Sequence, residues 1–98
     1  MTYTLVLQPE ALEELKQGKL WYNQRLAGLG NEFISEVNQV LSTLAASPML
    51  GTEIYRDLRR RNLRRFPYSV IYQVTDDRID VVAIFHASQD PEKWKARA

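Results

Sequence analysis

With 98 residues, 45% of them apolar, and no cysteine, the chain has enough for one small core, and it excludes disulfide-built folds and thiolate metal sites. Its formal charge of +1 hides an asymmetry: six acids against three bases in residues 1–53, and ten bases against six acids in residues 54–98, so the parts sum to −3 and +4. No basic segment followed by an apolar core opens the chain, and no apolar run approaches the roughly 20 residues of a membrane span, which predicts a soluble, unexported, cytoplasmic protein.

Tyr3, Leu5 and Leu7 alternate with Thr2, Thr4 and Val6, which predicts a strand from Thr2 to Leu7. It stops at Gln8-Pro9, where a helix begins: proline suits a first helical turn, and Glu10, Glu13 and Glu14 follow where the helix dipole favours negative charge. Leu12, Leu15, Tyr22 and Leu26 share one face of this helix, with Trp21 beside Tyr22. Gly18 weakens the middle by roughly 1 kcal/mol relative to alanine, and the helix runs out at Ala27-Gly28 before a tight corner at Leu29-Gly30. A second helix, from about Asn31 to Ala46, carries a stripe of Phe33, Val37, Val40, Leu41 and Leu44 with Ile34 at its margin, and ends at Ser47-Pro48. Two helices so shortly linked form an antiparallel hairpin whose apolar stripes need a sheet to cover.

The rest of the chain supplies that sheet. Met49 to Glu53 reads as a connection containing Gly51, and Asp57 to Arg64 as a strand so charged that it belongs at an edge. After Phe66-Pro67, Tyr68, Val70, Tyr72 and Val74 alternate with Ser69, Ile71 and Gln73; Thr75 to Arg78 is a turn. Ile79 to Phe85 is apolar apart from Asp80, as expected of a central strand covered on at least part of both faces. Ser88 or Asp90 then caps a last helical turn that begins with Pro91 and is held down by Trp94. No repeat, linker or low-complexity segment divides residues 1–98, which read as a single domain.

No nucleotide-binding glycine loop, serine-centred elbow, HExxH or paired-cysteine pattern is present, and one histidine with scattered carboxylates forms no metal-ligand set. No cofactor is expected. What stands out is Arg56 to Arg65, six arginines in ten residues, since guanidinium groups suit bidentate recognition of phosphate or carboxylate. Cleaving RNA without a metal needs a base for the 2′-hydroxyl, an acid for the leaving oxygen and cations aimed at the transition-state charge. Arg61, Arg64, Tyr68 and His86 are the candidates for those roles. The plainer readings are that His86, closing a buried strand, is structural, that Tyr72 belongs to the core, and that the arginines are a solvated face. Only Tyr68, at the start of its strand, stays open among the tyrosines.

Taken together, PEALEEL in the first helix, WYNQRLAGLGNEF across the corner, LAASPMLG after the second helix and LRRFPYSVIYQVTDDRIDVVAIFHASQDPEKW to the end resemble the RelE/ParE superfamily of bacterial toxin–antitoxin modules, often labelled plasmid stabilisation proteins. The resemblance implies an α+β fold, β-α-α-β-β-β with an optional last helix, in which a twisted antiparallel sheet packs against a helical hairpin. RelE-like members cleave mRNA in the ribosome, using basic residues of the central strands and a tyrosine or histidine–tyrosine pair near the C-terminus. In this chain Ser69 stands near where ribonuclease members carry a catalytic arginine, and His86 is followed by Ala87-Ser88 rather than tyrosine. FPYSVIY and FHASQDPEKW look closer to the ParE-like branch, whose members poison DNA gyrase and have no fixed catalytic motif.

The resemblance therefore implies a growth-inhibiting toxin acting on gyrase, neutralised by a cognate antitoxin in a hetero-oligomeric complex, with no membrane partner. The other readings are a ribosome-dependent mRNA endoribonuclease, and a degenerate member that only binds antitoxin. Arg59, Arg60, Arg61, Arg64, Arg65 and Tyr68 are expected to meet the target, and Trp21, Tyr22 and Leu26 the antitoxin.

Overall fold

The computed structural model describes residues 3–98, so Thr2, assigned by its alternation to the first strand, lies outside the described residues. β1 (Thr4–Leu7) passes through Gln8 into α1 (Pro9–Arg25), and α2 spans Leu29–Ala46. A 3₁₀ turn at Pro48–Leu50 leads to β2 (Thr52–Tyr55), β3 (Leu58–Asn62), β4 (Tyr68–Thr75) and β5 (Arg78–His86), and the chain continues into the short α3 (Glu92–Lys95). The hairpin corner depends on two glycines. Gly28 adopts φ +89°, a left-handed conformation that side chains disfavour, and a Cβ on Gly30 would collide with the Lys19 carbonyl and the Asn23 side chain of α1. Asn23 Oδ1 accepts the Gly30 N–H at 2.7 Å, which ties the two helices together at this close contact.

The sheet has the order β1-β5-β4-β3-β2, in which β1 pairs in parallel with β5 and every other pair is antiparallel. This corrects two expectations. Thr52–Tyr55, at the end of the predicted connection, is a strand, and it makes β2 the edge while the arginine-bearing β3 lies inside it. The extra strand also sets the direction of β5: each connection from β1 onward reverses the chain, and adding one reversal turns an antiparallel β1–β5 pair into a parallel one. β2 was hard to see because only four residues form it and none is buried.

One face of the sheet packs on the hairpin. Phe33, Val37, Leu41 and Leu44 of α2 and Ala11 and Tyr22 of α1 meet Val70 and Tyr72 of β4 and Ile79, Val81 and Ile84 of β5. Tyr22, Phe33, Phe66 and Tyr68 form an aromatic cluster with ring centroids 4.8–6.1 Å apart. The other face carries a smaller cluster, Leu58, Ile71, Val82, Ala83 and Phe85, closed by Trp94. β5 is thus covered on both sides, and Trp94 anchors α3, as the sequence predicts. Asp90 Oδ1 accepts the Glu92 N–H at the start of that helix, whereas Ser88 turns back to His86.

An irregularity in β5 decides where His86 points. Ile71 lies opposite Ala83 and Tyr72 opposite Val81, so Val82 is an extra residue without a partner on β4. Side chains alternate along a strand, and the insertion shifts that alternation by one: Ile79 and Val81 face the helices before the bulge, Ile84 after it. Two residues on from Ile84, His86 therefore shares the helix-side face with Tyr68, its partner across the ladder.

Candidate functional site

Tyr68 and His86, two residues singled out in the sequence, are brought together by this register. Their rings meet edge to face with centroids 5.0 Å apart, at the inner end of an open groove of about 910 Å³ between α1 and β5. His86 Nδ1 accepts the Ser88 N–H at 3.0 Å, so in the neutral ring the proton sits on Nε2. Burial, with smaller contributions from Tyr22 and the Glu14 carboxylate, raises the Tyr68 phenol above its ordinary pKa, so it can donate a hydrogen bond but serves poorly as a base. Glu10, Glu13 and Glu14 line the same groove along one side of α1, with Gly18, Trp21 and Ile84.

The far wall is a strand edge. β1 pairs only with Arg78–Val81, and its last rung is the Gln8 N–H donated to the Val81 carbonyl. Beyond it, side chains take over: Arg97 donates to the Val82 carbonyl at 2.9 Å, the Glu14 carboxylate accepts the Ile84 N–H at 3.1 Å, and Gln89 Oε1 accepts the His86 N–H at 3.1 Å. Arg97 and Glu14 also form a bidentate pair at 2.9 and 3.1 Å. None of these three residues was read from the sequence as part of a site. Glu14 could have been, because it falls on the helical repeat of the inward residues Ala11, Gly18 and Tyr22, where an acid needs a partner.

The arginines are not one surface. In β3, Arg59 and Arg61 lie opposite Tyr72 and Val70 on the helix side, while Arg60 lies opposite Ile71 on the other face. Arg59 is committed to structure: its guanidinium donates to the Gly51 and Met49 carbonyls and pairs with Glu53, and only 19% of the side chain is exposed. Arg65 pairs with Glu32 at 2.7 Å, and Glu36 accepts the backbone N–H groups of both Arg64 and Arg65, fastening the turn after β3 to α2. The pair with Glu32 raises the Arg65 pKa further above its already high value. Arg60, Arg61 and Arg64 are exposed and make no ion pair among the described residues. Arg61 stands across β4 from Ile84, so neither it nor Arg64 lines the groove at Tyr68 and His86.

Of the residues expected to meet an antitoxin, Trp21 and Leu26 are 49% and 62% exposed, and the Arg25 guanidinium lies 3.9 Å over the Trp21 ring. Tyr22 is buried, at the centre of the aromatic cluster, and offers little surface to a partner. No helix among the described residues is long and apolar enough to cross a membrane.

Known proteins share this architecture. A Pseudomonas aeruginosa chain from a chromosomal ParDE toxin–antitoxin system superposes with a TM-score of 0.78 over 89% of this chain and 98% of its own, at 15% identity. A variant of Escherichia coli RelE in the free state gives 0.74 over 100% and 95%, at 21% identity. At such identities the likeness shows the fold, a helical hairpin on a five-stranded sheet. In sequence, toxin ParE2 of Mycobacterium tuberculosis is 30% identical over 60 residues, a stretch that covers 61% of this chain and little more than half, 57%, of that toxin. The family model described as the ParE toxin of the type II toxin–antitoxin system parDE matches residues 5–91, from β1 to the start of the last helical turn. Fold and sequence agree that the chain belongs to the ParE toxin family of type II toxin–antitoxin systems, within the RelE/ParE superfamily.

Proposed function

We propose that this chain is a toxin that acts by binding a protein, DNA gyrase, rather than by cutting RNA, and that a cognate antitoxin holds it inactive. The observation that carries the reading is the charge around Tyr68 and His86. Their groove is lined by Glu10, Glu13 and Glu14, and its one arginine, Arg97, is already paired with Glu14. A scissile phosphate there would meet carboxylates where the reaction needs cations. Ser69 supplies no cation either: its side chain is neutral, donates to Asn62 at 2.6 Å and does not line this groove. The exposed Arg60, Arg61 and Arg64 stand outside the groove, on surfaces suited to an acidic protein face.

The test pairs two assays of the purified protein. Supercoiling by gyrase is expected to stop or to leave cleaved DNA, while primer extension on messages in translating ribosomes is expected to yield no codon-specific cuts. The edge-to-face Tyr68–His86 pair favours the ribonuclease as a second reading. Cuts that disappear in His86→Ala would establish it and remove the first. Unimpaired growth on expression, with both assays negative, would leave a chain that only binds antitoxin.

A further inference from the structure

We propose that the edge of β5 from Val82 to His86 is a docking strip for an extended peptide segment of a partner protein, one alternating apolar residues with lysine or arginine, which adds to the sheet as a further strand. The inference stands on the groove alone and not on the gyrase reading. An unpaired strand edge is a template for another chain unless something blunts it. Here the blunting is done by side chains rather than by proline or by another strand: Arg97 on the Val82 carbonyl, Glu14 on the Ile84 N–H and Gln89 on the His86 N–H. All three line the groove, so they stand where an incoming backbone would lie.

The exchange is balanced. A peptide in register offers carbonyls to the Ile84 and His86 N–H groups and an N–H to the Val82 carbonyl, so each of these three groups keeps a partner when the side chains swing aside. The groove offers about 910 Å³, and Trp21, half exposed on its lining, provides apolar contact for alternate side chains. Charge selects the others. Glu10, Glu13 and the released Glu14 form one acidic wall, and Arg97, freed from Glu14, is the one permanent cation on the lining. A segment with lysine or arginine at the positions facing α1 replaces the ion pair it breaks, whereas an acidic segment would set carboxylates against carboxylates.

The experiment is a selection from a random twelve-residue peptide library on the full chain, followed by amide hydrogen exchange of the chain with the strongest binder. Selected peptides are expected to alternate apolar and basic residues and to slow exchange at Ile84 and His86. Methylating alternate backbone nitrogens of the peptide should abolish binding, because the N–H for Val82 is lost. Glu10→Lys with Glu13→Lys, both on the exposed side of α1, is expected to weaken the selected peptide roughly tenfold without moving the thermal transition. Acidic or helical winners, protection at the β2 edge or over the arginines, an empty selection, or affinity unchanged in the double variant would each overturn the proposal.

Discussion

Arg59 and Arg64 lie five positions apart and carry the same charge, yet the structure gives them different jobs. Arg59 bridges the carbonyls of Met49 and Gly51 and pairs with Glu53, so Arg59→Ala should cost about 1–2 kcal/mol and lower the thermal midpoint by roughly 5–10 °C. Arg61→Ala and Arg64→Ala remove exposed, unpaired guanidinium groups and should leave that midpoint within a few degrees. If the proposed target contact is right, this second pair nonetheless abolishes growth arrest on expression, and full toxicity from a folded Arg61→Ala/Arg64→Ala chain would remove that contact. The tyrosines give a second test. Burial raises Tyr22, Tyr68 and Tyr72; for Tyr72 the Gly51 N–H and the charges of Arg59 and Arg61 oppose it in part. A phenol whose folded pKa exceeds its unfolded value contributes stability that is complete below the unfolded pKa and is lost as pH rises through the folded one. Denaturant midpoints should therefore fall above about pH 10, less steeply in Tyr68→Phe, and phenolate absorbance should show Tyr22, Tyr68 and Tyr72 titrating above the ordinary tyrosine range.

The hairpin depends on how closely its two helices approach. Gly30→Ala would place a methyl group on the Lys19 carbonyl, a backbone atom that cannot rotate away, so we expect a loss of about 2 kcal/mol, read as a midpoint roughly 10 °C lower by circular dichroism. Sequence reasoning found the hairpin from glycines at 28 and 30, but it set the corner at Leu29-Gly30, which the structure places in the first turn of α2, so the corner lies just before them. It also found both long strands, β4 by its alternation and β5 by its apolar run, and the buried Trp94. What it missed are features whose signal lies in pairs rather than runs. β2 is four residues without a buried member, and it becomes visible only once Glu53 is set opposite Arg59 across a two-residue turn. The bulge at Val82 leaves no mark in an all-apolar segment, yet it sends His86 to the side of Tyr68. The groove was hidden for the same reason, since Glu14 and Arg97 lie 83 positions apart. Glu14→Ala should cost about 2–3 kcal/mol, because it leaves the Ile84 N–H and the Arg97 guanidinium unpaired in a half-buried site. Protection of the Ile84 amide against exchange should fall with it.

At the scale of the whole molecule, the charge asymmetry becomes a division of surfaces. The radius of gyration, 12.9 Å, is that of a fully collapsed domain of about 100 residues, so the apolar side chains left outside have no room within. On α1 and at Leu26, which follows it, these are Leu12, Leu20, Trp21 and Leu26, each at least 41% exposed, while Arg60, Arg61 and Arg64, without an ion pair among the described residues, lie on β3 and the turn after it. The antitoxin we propose should answer both surfaces with a segment mobile when alone, laying apolar side chains along the hairpin and acidic ones towards the arginines. Ordering such a segment costs entropy that a wide apolar contact offsets, whereas charge contacts alone would be screened over a Debye length of about 8 Å at physiological ionic strength. Its affinity should therefore fall only partly as salt rises. Leu26→Asp, at a side chain 62% exposed, should weaken binding by roughly tenfold or more at every salt concentration, and Arg61→Ala with Arg64→Ala should remove mainly the salt-sensitive part. Titrating an antitoxin peptide into the three chains at low and high salt separates the two contributions. Normal binding to Leu26→Asp, with all affinity lost at high salt, would mean that the partner is held by the arginines and that the hairpin stays bare.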